Sequence, residues 1–262
     1  HVTEWARDIG YTSISHDLVF GLPFQNLDDV LHTIQQTTQL NPDRLAFYSY
    51  AHVPWIKGNG QRGFKDDDVP KDELKRTLYE EGKKKLLAHG YHEIGMDHFA
   101  LKSDTMYQAF QQGSLHRNFM GYTASKTQLM IGLGLSSISD SWYSFAQNEK
   151  ILEDYYARLE QNEIPVFRGH VLTAEDLMIR RHILNLMCSF QTSWAEPEMQ
   201  FPELPEVLKQ LEEMQEDGLL TLFEDHLQVT EQGKPFVRNI CMAFDLRLKR
   251  KVPSTRIFSM TI

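Results

Sequence analysis

Asp17 is a lone carboxylate in a run otherwise rich in apolar and β-branched residues, three places before Phe20 and the Gly21-Leu22-Pro23 turn. An ionised carboxylate on a sheet needs hydrogen-bond partners. The two adjacent hydroxyls of a ribose would supply them, as they do for acidic residues in dinucleotide folds; a local salt bridge or a backbone bond would serve equally. Tyr48, Tyr50, Ala51 and His52 end a second apolar run. Ligands of parallel α/β folds bind beyond the carboxyl ends of strands, and a residue as small as Ala51 lets a ring or a backbone come close. Asp97 and His98 close a third run, and His116-Arg117-Asn118-Phe119 follows. Asp97, His98, His116 and Arg117 are candidates to orient a carboxylate-rich substrate, because a guanidinium grips a carboxylate through two parallel hydrogen bonds.

Other chemistries find little footing. There are 11 histidines, yet no H-E-x-x-H and no Cys/His spacing of a zinc site, so no metal site built from this chain alone is expected. Cys188 and Cys241, the only 2 cysteines, stand on separate apolar helices and read as buried structural thiols. Gly132-Leu133-Gly134 lacks the third glycine of a phosphate cradle and reads better as close backbone packing.

Positioning these residues requires alternating strands and helices, and the pattern supplies them. Strands are expected over 12–20, 45–50, 91–99 and 132–139. Helices are expected over 26–40, with Asn26 as cap and Asp28 and Asp29 in the first turn, and over 71–89, 105–112 and 148–162. A polar loop over 54–70 is long enough to be functional. Strand alternating with helix predicts a parallel sheet. After Pro165 the pattern becomes helix 172–189 capped by Thr173, helix 204–216, a hairpin over 219–222 and 227–229, and a last helix 231–248. That order is winged-helix-like. The fold class is therefore α/β: part of a parallel β/α barrel over 1–164, followed by a mostly helical, winged-helix-like domain over 165–262.

Lys and Arg number 27 against 36 Asp and Glu, a formal net charge of −9. Nucleic-acid surfaces need clustered cations. Residues 196–231 carry 11 acidic residues and one basic, so nucleic acid is not an expected partner. The tail is basic: 238–262 has six Lys/Arg against one Asp, suited to pair with the acidic block. No apolar run approaches the roughly 18–20 residues that span a bilayer, and two distant cysteines suit a reducing cytoplasm. Residue 1 is His, and four parallel strands cannot close a barrel, so the chain reads as a portion of something longer.

Several stretches together resemble a known family. TSISHDLVFGLPFQ (12–25), LNPDRLAFYSYAHVP (40–54), GYHEIGMDHFAL (90–101), LHRNFMGYT (115–123) and GLGLSSIS (132–139) are similar to the radical S-adenosylmethionine (SAM) enzymes of coproporphyrinogen metabolism. RGHVLTAEDLMIRRHILNLMCSF (168–190), VTEQGKPFVRNICMAFD (229–245) and the ending IFSMTI extend the match. In order and along nearly the whole chain, they resemble the oxygen-independent coproporphyrinogen III oxidases.

The resemblance implies an oxidoreductase that converts two propionates of coproporphyrinogen III to vinyls, giving protoporphyrinogen IX, by way of a 5′-deoxyadenosyl radical. It implies SAM and a 4Fe-4S cluster as cofactors, an electron donor for the cluster, a monomer, and a cytoplasmic place in heme biosynthesis. By motif, Asp17 and Ala51 match contacts of a second SAM, and Ile138 an apolar contact of the first. The cluster cysteines of the family sit in a C-x-x-x-C-x-x-C motif that this chain lacks. Its ligands are expected upstream of residue 1, and the chain by itself is expected to be inactive. A related family of heme-binding chaperones shares the radical SAM core and is the alternative.

Overall fold

Asn26 caps its helix as its sequence position predicts. Its side chain accepts from the Asp29 backbone N–H while the Asp29 carboxylate accepts from the Asn26 N–H, a reciprocal capping box. The structure, a computed structural model, describes residues 1–54, 61 and 63–250. It divides into two units, His1–Gln108 and Ala109–Arg250 within the described residues.

The first unit opens with α1 (Val2–Ile9) and β1 (Ser15–Phe20), then α2 (Leu27–Leu40), β2 (Arg44–Ser49) and α3 (Asp72–Ala88). It continues through β3 (His92–Gly95), β4 (His98–Ala100) and the start of α4 (Thr105–Gln111). One sheet runs in the order β1-β2-β4-β3. β1 and β2 pair in parallel, as expected of a strand-helix-strand crossover. On one face Phe20, Leu45 and Phe47 bury against Val30 and Ile34 of α2 and Leu78, Tyr79 and Leu86 of α3. The 91–99 stretch departs from expectation. It is not one parallel strand but the hairpin β3–β4, antiparallel to itself and to β2. Met96 and Asp97 at its turn both take positive φ, 25° and 65°. Two such residues make a tight hairpin whose twist suits the strands. Arg44 and the fully buried side chain of Asp104 tie the other end of β2 to the start of α4 with a 2.9 Å ion pair.

The second unit holds β5 (His116–Asn118), β6 (Gly121–Thr123), β7 (Leu129–Met130), β8 (Ile138–Ser141), β9 (Ser144–Asn148), α5 (Leu152–Glu160) and β10 (Val166–Val171). There follow α6 (Ala174–Ser189), β11 (Gln191–Ser193), α7 (Leu204–Glu216), β12 (Leu220–Leu222), β13 (His226–Val229), α8 (Val237–Phe244) and α9 (Leu246–Arg250). The expected fourth parallel strand over 132–139 is corrected. Only Ile138 and Ser139 of it are extended, and β8 belongs to an antiparallel sheet in the order β10-β9-β8-β7. Among the described strands β1 and β2 alone pair in parallel. The close-packing reading of Gly132 holds: a Cβ there would stand 2.7 Å from the Ile138 carbonyl oxygen.

Thr173 caps α6 through a second capping box with Asp176. β11, β13 and β12 form a three-stranded antiparallel sheet, with the expected hairpin at its edge. The last expected helix is divided, breaking at Asp245 between α8 and α9. Arg250 reaches Glu203 of the acidic block and Glu175, and Arg247 grips Asp176 through two bonds, so part of the basic tail pairs as its charge predicts. The expected boundary at 164/165 falls inside this unit, where β10 pairs with β9. Residues 55–60 and 62 of the expected 54–70 loop, and the IFSMTI ending, lie outside the described residues. No described helix is long and apolar enough to cross a membrane.

Candidate functional site

Strand alternation sends successive side chains to opposite faces. In the first unit Leu18 and Phe20 turn toward the helices, so Asp17 and Val19 lie on the other, exposed face. The register sets Asp17 beside Ala46 and Ala46 beside His98, one row across three strands. Tyr48 lies two residues further along the same face, its hydroxyl 3.3 Å from His98 Nε2. His98 Nδ1 stands 2.7 Å from the Met96 carbonyl. A carbonyl only accepts, so Nδ1 carries the proton in the neutral ring and Nε2 accepts from Tyr48. The face therefore presents a carboxylate, a phenol and an oriented imidazole around a small residue.

Ala51 follows β2 and is exposed. The Gln61 amide spans its turn, donating to the Ala51 carbonyl at 2.9 Å and accepting from the Val53 N–H at 2.7 Å. His52 pairs with Asp66 through Nε2 at 2.9 Å, and its buried Nδ1 makes no hydrogen bond among the described residues. Lys75 of α3 comes against the Gly21 turn, at the carboxyl end of β1, and burial pushes its ammonium below the ordinary lysine value.

In the second unit His116 and Arg117 share the short hairpin β5–β6 and, being adjacent, take opposite faces. The Arg117 guanidinium lies 4.7 Å over the Tyr122 ring, and its buried Nη1 makes no hydrogen bond among the described residues. Burial first, then the Arg180 and Lys126 charges, hold the His116 imidazole below its ordinary value, against the pull of Asp140. The hairpin tip is fixed by Asp140, which accepts from the Phe119 N–H at 3.1 Å and pairs with Arg180 of α6 at 2.8 Å. Arg180 also donates to the Ser141 and Trp142 carbonyls and lies 5.0 Å from the centres of the Trp142 and Phe145 rings. Ile138 begins β8, half-buried, two residues before Asp140.

Of the expected residues, Asp17 and Ala51 thus lie in the first unit, and Ile138, His116 and Arg117 in the second. The Asp140–Arg180 pair was not foreseen. Its signal is a single carboxylate in the small-residue stretch Ser137-Ile138-Ser139-Asp140-Ser141, just past the expected strand end. Cys188 and Cys241 do not fit a cluster-ligand set: both are buried, and burial pushes their thiols up to about 11 and about 12. A cluster binds thiolates. Among the described residues no group of three His, Cys, Asp or Glu could hold a metal ion.

Comparison with known proteins finds relatives along nearly the whole chain. The family model described as the HemN C-terminal domain matches residues 172–236. The oxygen-independent coproporphyrinogen III oxidase of Escherichia coli (strain K12) is 39% identical over 251 residues, covering 94% of this chain and 55% of that protein. The protein of that name from Thermostichus vulcanus is 37% identical over 267 residues, covering 100% of this chain and 81% of that protein. A solved structure, the E. coli coproporphyrinogen III oxidase (HemN) described as a radical SAM enzyme, superposes with a TM-score of 0.88 at 38% identity. The match covers 94% of this chain and 58% of that one. The chain spans about half the length of the E. coli protein.

Proposed function

The chain belongs to the oxygen-independent coproporphyrinogen III oxidase family, and we propose that the reaction it serves is the oxidative decarboxylation of two propionates of coproporphyrinogen III. Each propionate loses one hydrogen atom, carbon dioxide and one further electron to a one-electron acceptor, leaving a vinyl group, and the product is protoporphyrinogen IX. The observation that carries this reading is the agreement of sequence and backbone along 94% of the chain with a radical SAM coproporphyrinogen III oxidase. The relatives bear the oxidase name, which sets this reading above the heme-binding chaperone.

Within it, Asp17 and Ala51 would contact one SAM and Ile138 another. SAM, when bound, supplies the group that takes up the propionate hydrogen. Asp17 is exposed beside small, buried Ala46, which supports its reading as a ribose acceptor. Ala51, exposed with its backbone braced by Gln61, supports close approach of a flat ring. Ile138 offers an apolar wall at the start of β8. Arg117 would hold a propionate, and its buried, unbonded Nη1 supports this. His116, on the other face of the same hairpin, would assist a carboxylate from there. The cysteines present do not fit a cluster, so no step is assigned through one.

The parallel β1–β2 pair under α2 and α3 supports reading 1–164 as part of a radical SAM barrel. The helix-strand-helix-hairpin order and the family match at 172–236 support a winged-helix-like domain over 165–262. A monomer, an electron donor and a cytoplasmic site complete the proposal; two unpaired cysteines support a reducing compartment.

The test is anaerobic incubation of the intact gene product with coproporphyrinogen III, SAM and a low-potential reductant. Mass spectrometry is expected to find a product lighter by two carbon dioxides and four hydrogens. No such product from an enzyme with its cluster and SAM in place overturns the reading. Asp17→Ala in the same enzyme is expected to weaken SAM by about 1.5–3 kcal/mol, the worth of a hydrogen bond to a charged group. Equilibrium dialysis with labelled SAM measures it, and unchanged affinity removes Asp17 from the site.

A further inference from the structure

The second unit contains a cavity of about 450 Å³ bounded by the β5 strand, the 126–128 loop, the Trp142–Tyr143 turn and α6. That is the size of a small-molecule site. Lys126, Arg181 and His116 supply its nitrogen donors, Trp142 and Tyr143 its flat walls and Leu184 an apolar side. No Asp or Glu lines it, in a chain whose acidic residues outnumber the basic ones 36 to 27. Such a recess is a local minimum for an anion within an acidic molecule.

The two adjacent arginines of α6 divide their work. Arg180 is occupied by Asp140 and braces the Trp142 wall. Arg181 lies about 100° further round the helix, at the cavity, and forms no ion pair among the described residues; nor does Lys126. We propose that this cavity binds a ring-bearing carboxylate, with Lys126 and Arg181 on the carboxylate, Trp142 and Tyr143 on the ring, and His116 as a further hydrogen-bonding partner. Resting on the function proposed above, that ligand is a pyrrole ring of the substrate with its propionate. Arg117 is not among the residues that line this cavity.

The test titrates this chain with two probes, coproporphyrin III and 2-naphthoate, following quenching of Trp142 emission, with Trp142→Phe identifying that signal. Arg181→Gln and Lys126→Gln are each expected to weaken both probes about ten- to hundredfold. Lys209→Gln, an exposed charge on α7, is the control for net charge and should leave both unchanged. Arg181 and Lys126 are exposed, so their removal should leave the thermal midpoint unaltered and separate a binding loss from misfolding. If neither probe binds, or both bind every variant equally, the cavity is not this site. If coproporphyrin III binds regardless of Arg181 and Lys126, the cavity inference falls and the proposed function stands. If only 2-naphthoate binds through these residues, the carboxylate site stands, and the pyrrole assignment and its functional premise lose their support.

Discussion

His182 is fully buried in the second unit, and both ring nitrogens are satisfied in the neutral form. Nε2 donates to the Met199 carbonyl at 2.8 Å, and Nδ1 accepts from the Thr192 hydroxyl at 2.9 Å, with the ring stacked on Phe244. Burial holds its imidazole below the ordinary value, and His16 and His116 are lowered by burial too. In the unfolded chain these rings titrate near 6.5. Below that pH the unfolded state binds protons that the folded state refuses. The stability they contribute is therefore complete above pH 6.5 and is lost as pH falls through the folded values. Urea unfolding between pH 7.5 and 5.5 is expected to show this decline, at most about 1.4 kcal/mol per pH unit for each ring. His182→Gln should make it shallower, with His16 and His116 still contributing; an unchanged slope would mean that His182 is not among the groups that titrate. At this scale the sequence names a histidine but not its role. His182, an orphan-free core residue, and His116, a cavity residue, differ only in what surrounds them.

At the scale of elements, α3 lies flat on the sheet because Gly82 has no side chain. A Cβ there would stand 2.6 Å from two atoms of the Phe47 ring and 3.2 Å from Ile34 Cδ1. Phe47 cannot yield, being packed with Phe20 and Tyr79 in the core. Overpacking of this kind costs about 1–3 kcal/mol, against a gain of about 1 kcal/mol in helix propensity. Gly82→Ala is expected to lower the thermal midpoint by several degrees. Phe47→Leu in the same chain should recover part of the loss relative to Phe47→Leu alone, and simple additivity would remove the steric account. Elements with a cap and a periodic apolar face were legible: α2 with Asn26, α6 with Thr173, α7 and the β12–β13 hairpin all stand where their residues predict. The two- to five-residue strands β5 to β9 were not, because so few positions show no period. The β3–β4 turn was missed because Met96 and Asp97 carry none of the glycine that ordinarily marks positive φ.

For the whole molecule the sharpest expectation concerns iron. Two buried cysteines with raised thiols cannot supply the closely spaced thiolates of a 4Fe-4S cluster. Anaerobic reconstitution of residues 1–262 with iron and sulfide, followed by desalting, should retain no stoichiometric iron and no charge-transfer absorption. A stable four-iron complex would refute this and require ligands that neither thiol explains. The chain's relation to its family is legible at this scale because it is distributed. Dozens of short identities in order cannot be lost to one local misreading, as the hairpin at 91–99 was.

Several features followed from the sequence by itself. They are the family, the α/β class, the capped helices, the acidic block that the basic tail meets, and the burial of two cysteines. Each depends on neighbours in sequence or on composition, where physical rules act over a few residues. Tertiary structure alone decided which strands run antiparallel, that Asp17, Ala46 and His98 form one row, and that Asp140 and Arg180 anchor the hairpin of His116 and Arg117. It alone turned Arg181 and Lys126 toward one cavity while Arg180 was taken by a carboxylate. Apart from the local hairpins, those outcomes join residues 21 or more positions apart, and no local pattern encodes which distant partner a buried charge or a strand edge will find.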